Sequence, residues 1–393
     1  MGCFEGFASM LYVCSAVLSL GQMITYVFDA SADYEKYYWL AFYVTSSLIV
    51  LSDTKTFWRV TNSLGALSLA IVVLYCVGTS YLVDFEANVS EAQRAAFSAS
   101  SASDSMSGGA SDGTAATALH GGFSAFMLSY PLMAWFFVGV EVTPLALRYT
   151  NQTSKTVARG VIVCSVVLLV TALCVFFVAI SQPPNVLGLA SETFVLSHGF
   201  SSLFHTSVRA ATALSLPATF ATAHGFQFAN ALQNYNMALS GLFPRIFGYA
   251  TKSGKPYMSV VVSSVLGYTT LLLMYTFYFQ YLYLIFNVCI LGSFVVYSTV
   301  CASCIVFKLR YADIKPDFHN PLGMYGAVYA MCVFTVGVVA AMFYQSDQYV
   351  ATMIMGVIVC VGTLHYFLMA KQSQMFSKEE DRKVMVLFVA QGE

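Results

Sequence analysis

The chain is 393 residues long, 58% hydrophobic and only 9% charged, with a mean hydropathy of +0.71 and a net charge of −1. A soluble domain carries roughly 25% charged residues, so this composition excludes an ordinary soluble protein and marks an integral membrane one. The near-zero net charge also excludes a generally basic nucleic-acid binder.

Ten apolar spans follow one another: Gly6–Phe28, Tyr37–Ser52, Val60–Val83, Gly122–Leu147, Gly160–Ile180, Thr206–Asn230, Tyr257–Phe279, Tyr281–Phe307, Gly326–Gln345 and Tyr349–Ala370. Most reach the ~20 residues that an α-helix needs to cross the hydrocarbon layer. They predict an all-α polytopic protein whose one domain is the membrane domain. Between the third and fourth spans, 84–121 turns to Ser, Ala and Gly, including SASSASDSMSGGASDG. Such a stretch cannot bury enough apolar surface to fold alone, and a flexible loop is expected there.

Fifteen lysines and arginines fall on the side that carries both termini, from Lys55 and Arg59 through Lys252 and Lys255 to Lys383; Lys36, Arg94 and Arg209 fall on the other. The positive-inside rule therefore predicts cytoplasmic termini, in the plasma membrane or an intracellular one. Asn88-Val89-Ser90 is a glycosylation sequon on the outer side, and Asn151-Gln152-Thr153 is a sequon on the inner side, where glycans are not added. The ten cysteines lie within spans or, for Cys3, at the cytoplasmic start, so no disulfide-linked heavy subunit is expected. Cys301 and Cys304 form a C-x-x-C inside a span, without the second ligand pair that a metal site needs. Gly254-Lys255 is followed by Pro256, not by Ser or Thr, so there is no phosphate-binding loop for ATP-driven transport. No zinc-protease helix or nucleophile elbow is present, and an enzyme is not expected.

The fourth span is the informative one. PLMAWFFVGVEVTP, from Pro131 to Pro144, holds two prolines, a glycine and a carboxylate within an apolar run. Pro144 should free the carbonyl of Val140, and Gly139 lets the backbone leave helical geometry at little steric cost. A broken membrane helix is tolerated where it lines a cavity or is covered by protein, and transporters place substrates at such breaks. Glu141 lies seven residues before Arg148, ~10 Å into the membrane if the chain between is helical. A carboxylate at that depth marks a cavity, an ion path or a proton relay, or else it bonds freed backbone amides. Trp135, Phe136 and Phe137 precede the break and could cover a bound amine, or be ordinary packing aromatics. Elsewhere His224 is a candidate proton carrier or a packing histidine. Tyr283 and Asn287 could bond substrate or glue helices together, and Thr219 and Thr222 could ligate sodium or bond back to their own helix.

WFFVGVE followed by PLALRYTNQTSKTVARG resembles the sixth helix and following loop of the amino acid–polyamine–organocation (APC) permeases. HGFQFANALQNYNMALSGLFPRIFGYATKSGKP is similar to that family's eighth helix and its loop, and FKLRYADIKPDFHNPLG to the loop between the tenth and eleventh helices. The pattern is closest to the ethanolamine-permease branch. The resemblance implies a LeuT-type inverted-repeat fold with about ten of the usual twelve helices, the first two being absent. It implies secondary transport of amino acids or small amines (ethanolamine- or polyamine-like), with H+ or Na+ as coupling ion and no other cofactor. Substrate contact is implied for Phe137, Val138, Gly139, Val140 and Glu141, an aromatic gate for Trp135, and coupling for Glu141. Leu239 stands where relatives have arginine, and Gln152 where they have proline. A membrane scaffold, partner subunit or degenerate paralogue without transport is the competing expectation.

Overall fold

The computed structural model describes residues 2–91, 122–140, 143, 145, 154–189, 192–252, 254–277, 284–310, 320, 322–345 and 349–371. Among them the regular structure is entirely helical, and seven helices are long and apolar enough to cross a membrane. The protein is an all-α polytopic membrane protein.

Helix α1 (Gly2–Phe28) ends where Asp29 takes a left-handed conformation, and Ala30 N–H bonds back to the Thr25 carbonyl. A short turn brings the chain back as α2 (Glu35–Leu51). Asp53 then caps α3 (Thr54–Gly78) by accepting from the Thr56 amide at 2.9 Å. That hydrogen bond holds the exposed Asp53 carboxyl below the usual carboxylate range. Lys255 donates to the carbonyls of Leu51 and Ser52, placing a cation on the negative end of α2.

The fourth span is not one helix. Helix α4 (Gly122–Ser129) gives way to a 3-10 segment, Tyr130–Phe136, and then a turn through Gly139. The break thus starts at Pro131, eight residues before Gly139, because Pro131 has no N–H to continue the α-helical ladder. Glu141, Pro144 and Asn151 lie outside the described residues.

Helix α5 (Ser154–Ile180) is followed by three short helices, α6 (Val186–Leu189), α7 (Leu196–Phe204) and α8 (Val208–Thr212). The last two pack on the end of α3, where the Phe200 and Tyr75 rings meet edge to face at 5.2 Å. Asn88, the sequon residue, donates its amide to the carbonyls of Asp84 and Ser181, tying the start of the 84–121 loop to the end of α5.

Helix α9 (Leu216–Leu239) carries Pro217 in its first turn and ends in a Schellman motif. There the Leu242 amide reaches Met237 O at 2.9 Å, with Gly241 left-handed at φ 70°. It runs nine residues past Asn230, because its polar residues are taken up by neighbours and do not end the helix. Helices α10 (Tyr257–Phe277), α11 (Leu284–Arg310), α12 (Gly323–Phe343) and α13 (Val350–His365) complete the bundle.

The main core joins α1, α2, α9, α10 and α11 around Val17, Leu18, Trp39, Leu271 and Ile285. One face of α9 adds a polar ladder to this packing. Asn230 donates to Gly6 O at 2.8 Å and to Ser9 Oγ at 2.7 Å. Asn234 donates to Asn230 Oδ1 at 3.3 Å and to Ser263 Oγ at 3.1 Å, and Gln227 donates to Ser47 and Ser264. Apolar membrane helices do not drive one another together by water exclusion, so such bonds and close backbone approach hold them.

Candidate substrate site at the broken helix

The break sits against the core through aromatic rings. Trp135 meets Tyr12 of α1 edge-on at 6.4 Å and Phe286 of α11 at 5.5 Å. Tyr12 in turn tilts against Phe226 of α9 at 5.3 Å and donates its hydroxyl to Ser293 Oγ at 2.9 Å. Gly139 has φ 104°, and a Cβ there would lie 3.4 Å from the Phe226 ring. A Cβ would make only ordinary contact with that ring, so it is the positive φ that favours glycine here. Val138 packs on the same core, so the turn is anchored on both sides of Trp135 and Gly139.

The remaining sequence-chosen residues divide. Phe136 faces outward, 48% exposed. Phe137 and Val140 line a cavity of about 760 Å³ shared with Tyr130, Ser165 of α5 and Phe294 of α11, with Glu5 of α1 on its wall. That is within the size range of small-molecule sites, and its lining is mostly apolar. Tyr130 stacks on Phe294 at 6.2 Å and bonds the Val333 carbonyl at 3.1 Å, fixing one wall. Asn287 is half-buried on α11 beside Phe286. Tyr283 lies outside the described residues.

His224 is not at the break. It precedes Phe226 by two positions, about 200° around α9, and so faces the other way. Its Nδ1 pairs with Ser46 Oγ at 2.7 Å and its Nε2 with Thr61 Oγ1 at 3.4 Å, and its ring stacks on Phe220. The Thr219 hydroxyl bonds back to the carbonyl of Ser215, the residue capping α9, and Thr222 to that of Ala218 within it, and Thr219 also reaches Met23 Sδ at 3.2 Å. Sequence reasoning missed Tyr12, Phe226 and Phe286. They carry no local signal in a chain that is 15% aromatic. The Tyr12–Ser293 bond spans 281 residues, which no local pattern encodes.

Among the described residues there is no group of three or more His, Cys, Asp or Glu that could hold a metal ion. Cys301 and Cys304 carry free thiols.

A family model for amino acid permeases matches residues 1–364. A stretch of 232 residues is 26% identical to the lysine-specific permease of Saccharomyces cerevisiae. The alignment covers 55% of this chain and 37% of that protein, so the chain matches little more than a third of the length of its curated relative.

Proposed function

The chain belongs to the amino acid permease family, and from that premise we propose that it carries amino acids or small amines across a membrane as a secondary transporter. Substrate docks at the turn from Phe137 to Glu141, and Trp135 covers it. The helices carrying the break rock against the α1–α9 packing to open one side and then the other. H+ or Na+ is the coupling ion, with Glu141 and His224 as the groups to test. The termini face the cytoplasm, and the membrane is the plasma membrane.

The observation that carries this reading is the left-handed turn at Gly139, held on Phe226 and flanked by the Trp135–Tyr12–Phe286 cluster. A break that served packing alone would not need an indole poised beside it. Uptake of labelled lysine, ethanolamine and a panel of amino acids into vesicles carrying the protein tests it. Trp135→Ala and Glu141→Gln should each lower uptake at least tenfold. Full uptake in both variants would remove the site assignment, and no uptake of any substrate by the unaltered chain would favour a scaffold.

A further inference from the structure

Phe294 of α11 is buried and forms part of the wall of the 760 Å³ cavity. Its ring stacks on Tyr130 at 6.2 Å and lies 6.4 Å from the ring of Phe334 on α12. Against another side of the ring is Gly337, buried in the middle of α12. A Cβ on Gly337 would lie 2.5 Å from one carbon of the Phe294 ring and 2.6 Å from two more. Carbon atoms do not approach so closely, so a side chain at this position displaces the ring. Glycine is a poor residue for a helix interior, and here its use is to let an aromatic ring lie flat on the helix backbone.

The ring cannot move freely toward the broken helix. Tyr130 is pinned there, because its hydroxyl donates to the Val333 carbonyl at 3.1 Å. The empty space beside Phe294 is the cavity itself, so a ring pushed off α12 enters it. The same cavity is walled by Phe137 and Val140 of the turn. A substrate held at that turn therefore directs its side chain toward Phe294. The walls it meets are aromatic and aliphatic, with Tyr297, Phe334 and Val161 among them. Glu5 also stands on the wall, where its Oε2 accepts from Gln233 Nε2 of α9 at 3.3 Å. An apolar space of this size favours a side chain that fills it, and a small one would leave most of it empty.

We propose that this cavity is the side-chain pocket of the substrate site, that it takes bulky uncharged side chains such as those of leucine and phenylalanine, and that Gly337 is a positioning residue that sets its depth through Phe294. Its part in transport rests on the permease reading above, whereas the pocket itself does not. Gly337→Ala shifts the ring by about 1 Å to recover a carbon–carbon contact near 3.5 Å, and the pocket loses that depth. Phenylalanine feels the loss, whereas alanine does not reach that far.

Equilibrium binding to the detergent-purified full chain, and uptake into vesicles, test this with labelled phenylalanine, leucine, alanine and lysine. The unaltered chain should bind phenylalanine and leucine more tightly than alanine or lysine. In Gly337→Ala the Kd and KM for phenylalanine should rise about tenfold, with those for alanine within about twofold and kcat little changed for either. Adding Phe294→Leu returns the lost space and should restore phenylalanine. Ser165→Leu fills the same cavity from α5, and should reproduce the selective loss even where Gly337→Ala does not fold. A loss shared equally by all four substrates would overturn the proposal, as would tighter binding of alanine or lysine than of phenylalanine. So would the absence of any phenylalanine binding. Selective binding without uptake would support the pocket while removing the permease reading.

Discussion

Gly6→Ala tests the polar ladder at its tightest point. A Cβ on Gly6 would lie 2.5 Å from Asn234 Oδ1 and 2.7 Å from Met237 Cε. The methionine end can swing aside. The asparagine cannot, because its amide nitrogen donates to Asn230 Oδ1 and Ser263 Oγ, and Asn230 is itself oriented by Gly6 O and Ser9. Inverting the Asn234 amide would set two carbonyl oxygens against each other. The new methyl therefore breaks two buried bonds or pushes α1 off α9. The bond to Ser263 crosses between helices, where such bonds average about 0.6 kcal/mol and reach about 1.7; with a buried bond to Asn230 on α9 itself of similar size, the loss is about 1–3 kcal/mol. Alanine returns about 0.5–1 kcal/mol of helix propensity. The control is Gly65→Ala on α3, where nothing lies within 4 Å and only the propensity gain remains. Thermal unfolding of the detergent-purified variants should move in opposite directions, down for Gly6→Ala and up for Gly65→Ala. In an Asn234→Ala background most of the Gly6→Ala cost should vanish. Equal shifts for the two glycine variants, or full additivity with Asn234→Ala, would refute the account.

If the proposed site is right, Gly139→Ala should lower uptake of the transported amino acid more than it lowers the melting temperature. The left-handed backbone costs a side chain about 1–2 kcal/mol, and the strain falls on the turn proposed to meet substrate. Gly139→Asn, which tolerates such geometry better, should recover part of the uptake, and no difference between the two would count against the turn. His224→Leu should destabilise by about 1–3 kcal/mol, since it strands the fully buried Ser46 hydroxyl, as chemical denaturation would show. Adding Ser46→Ala should restore much of that loss. Arg209→Ala removes an exposed ion pair with Asp29 and should change stability by less than about 1 kcal/mol in the same assay.

How much of this was legible beforehand depended on how local each signal was. Pro131, Gly139 and the apolar run around them announce a broken helix, because proline and glycine act on their own backbone. The 3-10 segment from Tyr130 to Phe136 that leads into the turn is not announced in the same way, because the run contains two prolines and the pattern does not say which of them ends the α-helical ladder. The apolar span stops at Asn230 whereas α9 runs on to Leu239, because the partners of Gln227, Asn230 and Asn234 are Ser47, Gly6 and Ser263 on three other helices. Asn230 and Gly6 are 224 residues apart, a separation that periodicity does not see. The lids and walls of the candidate site are hidden in the same way, because Tyr12, Phe226 and Phe286 acquire meaning only when α1, α9 and α11 converge.

The ladder on α9 also bears on the order in which the chain is made. Helix α9 is absent from the helices that are long and apolar enough to cross a membrane unaided. When it leaves the ribosome, α1 and α2 have already been synthesised and offer Gly6, Ser9, Ser46 and Ser47 as partners. Ser263 and Ser264 arrive only with α10. Insertion of α9 thus depends on helices laid down before it, and Asn234 and Gln227 wait for the helix that comes after. A chain halted between α9 and α10 would leave those two amides without the Ser263 and Ser264 hydroxyls to which they donate.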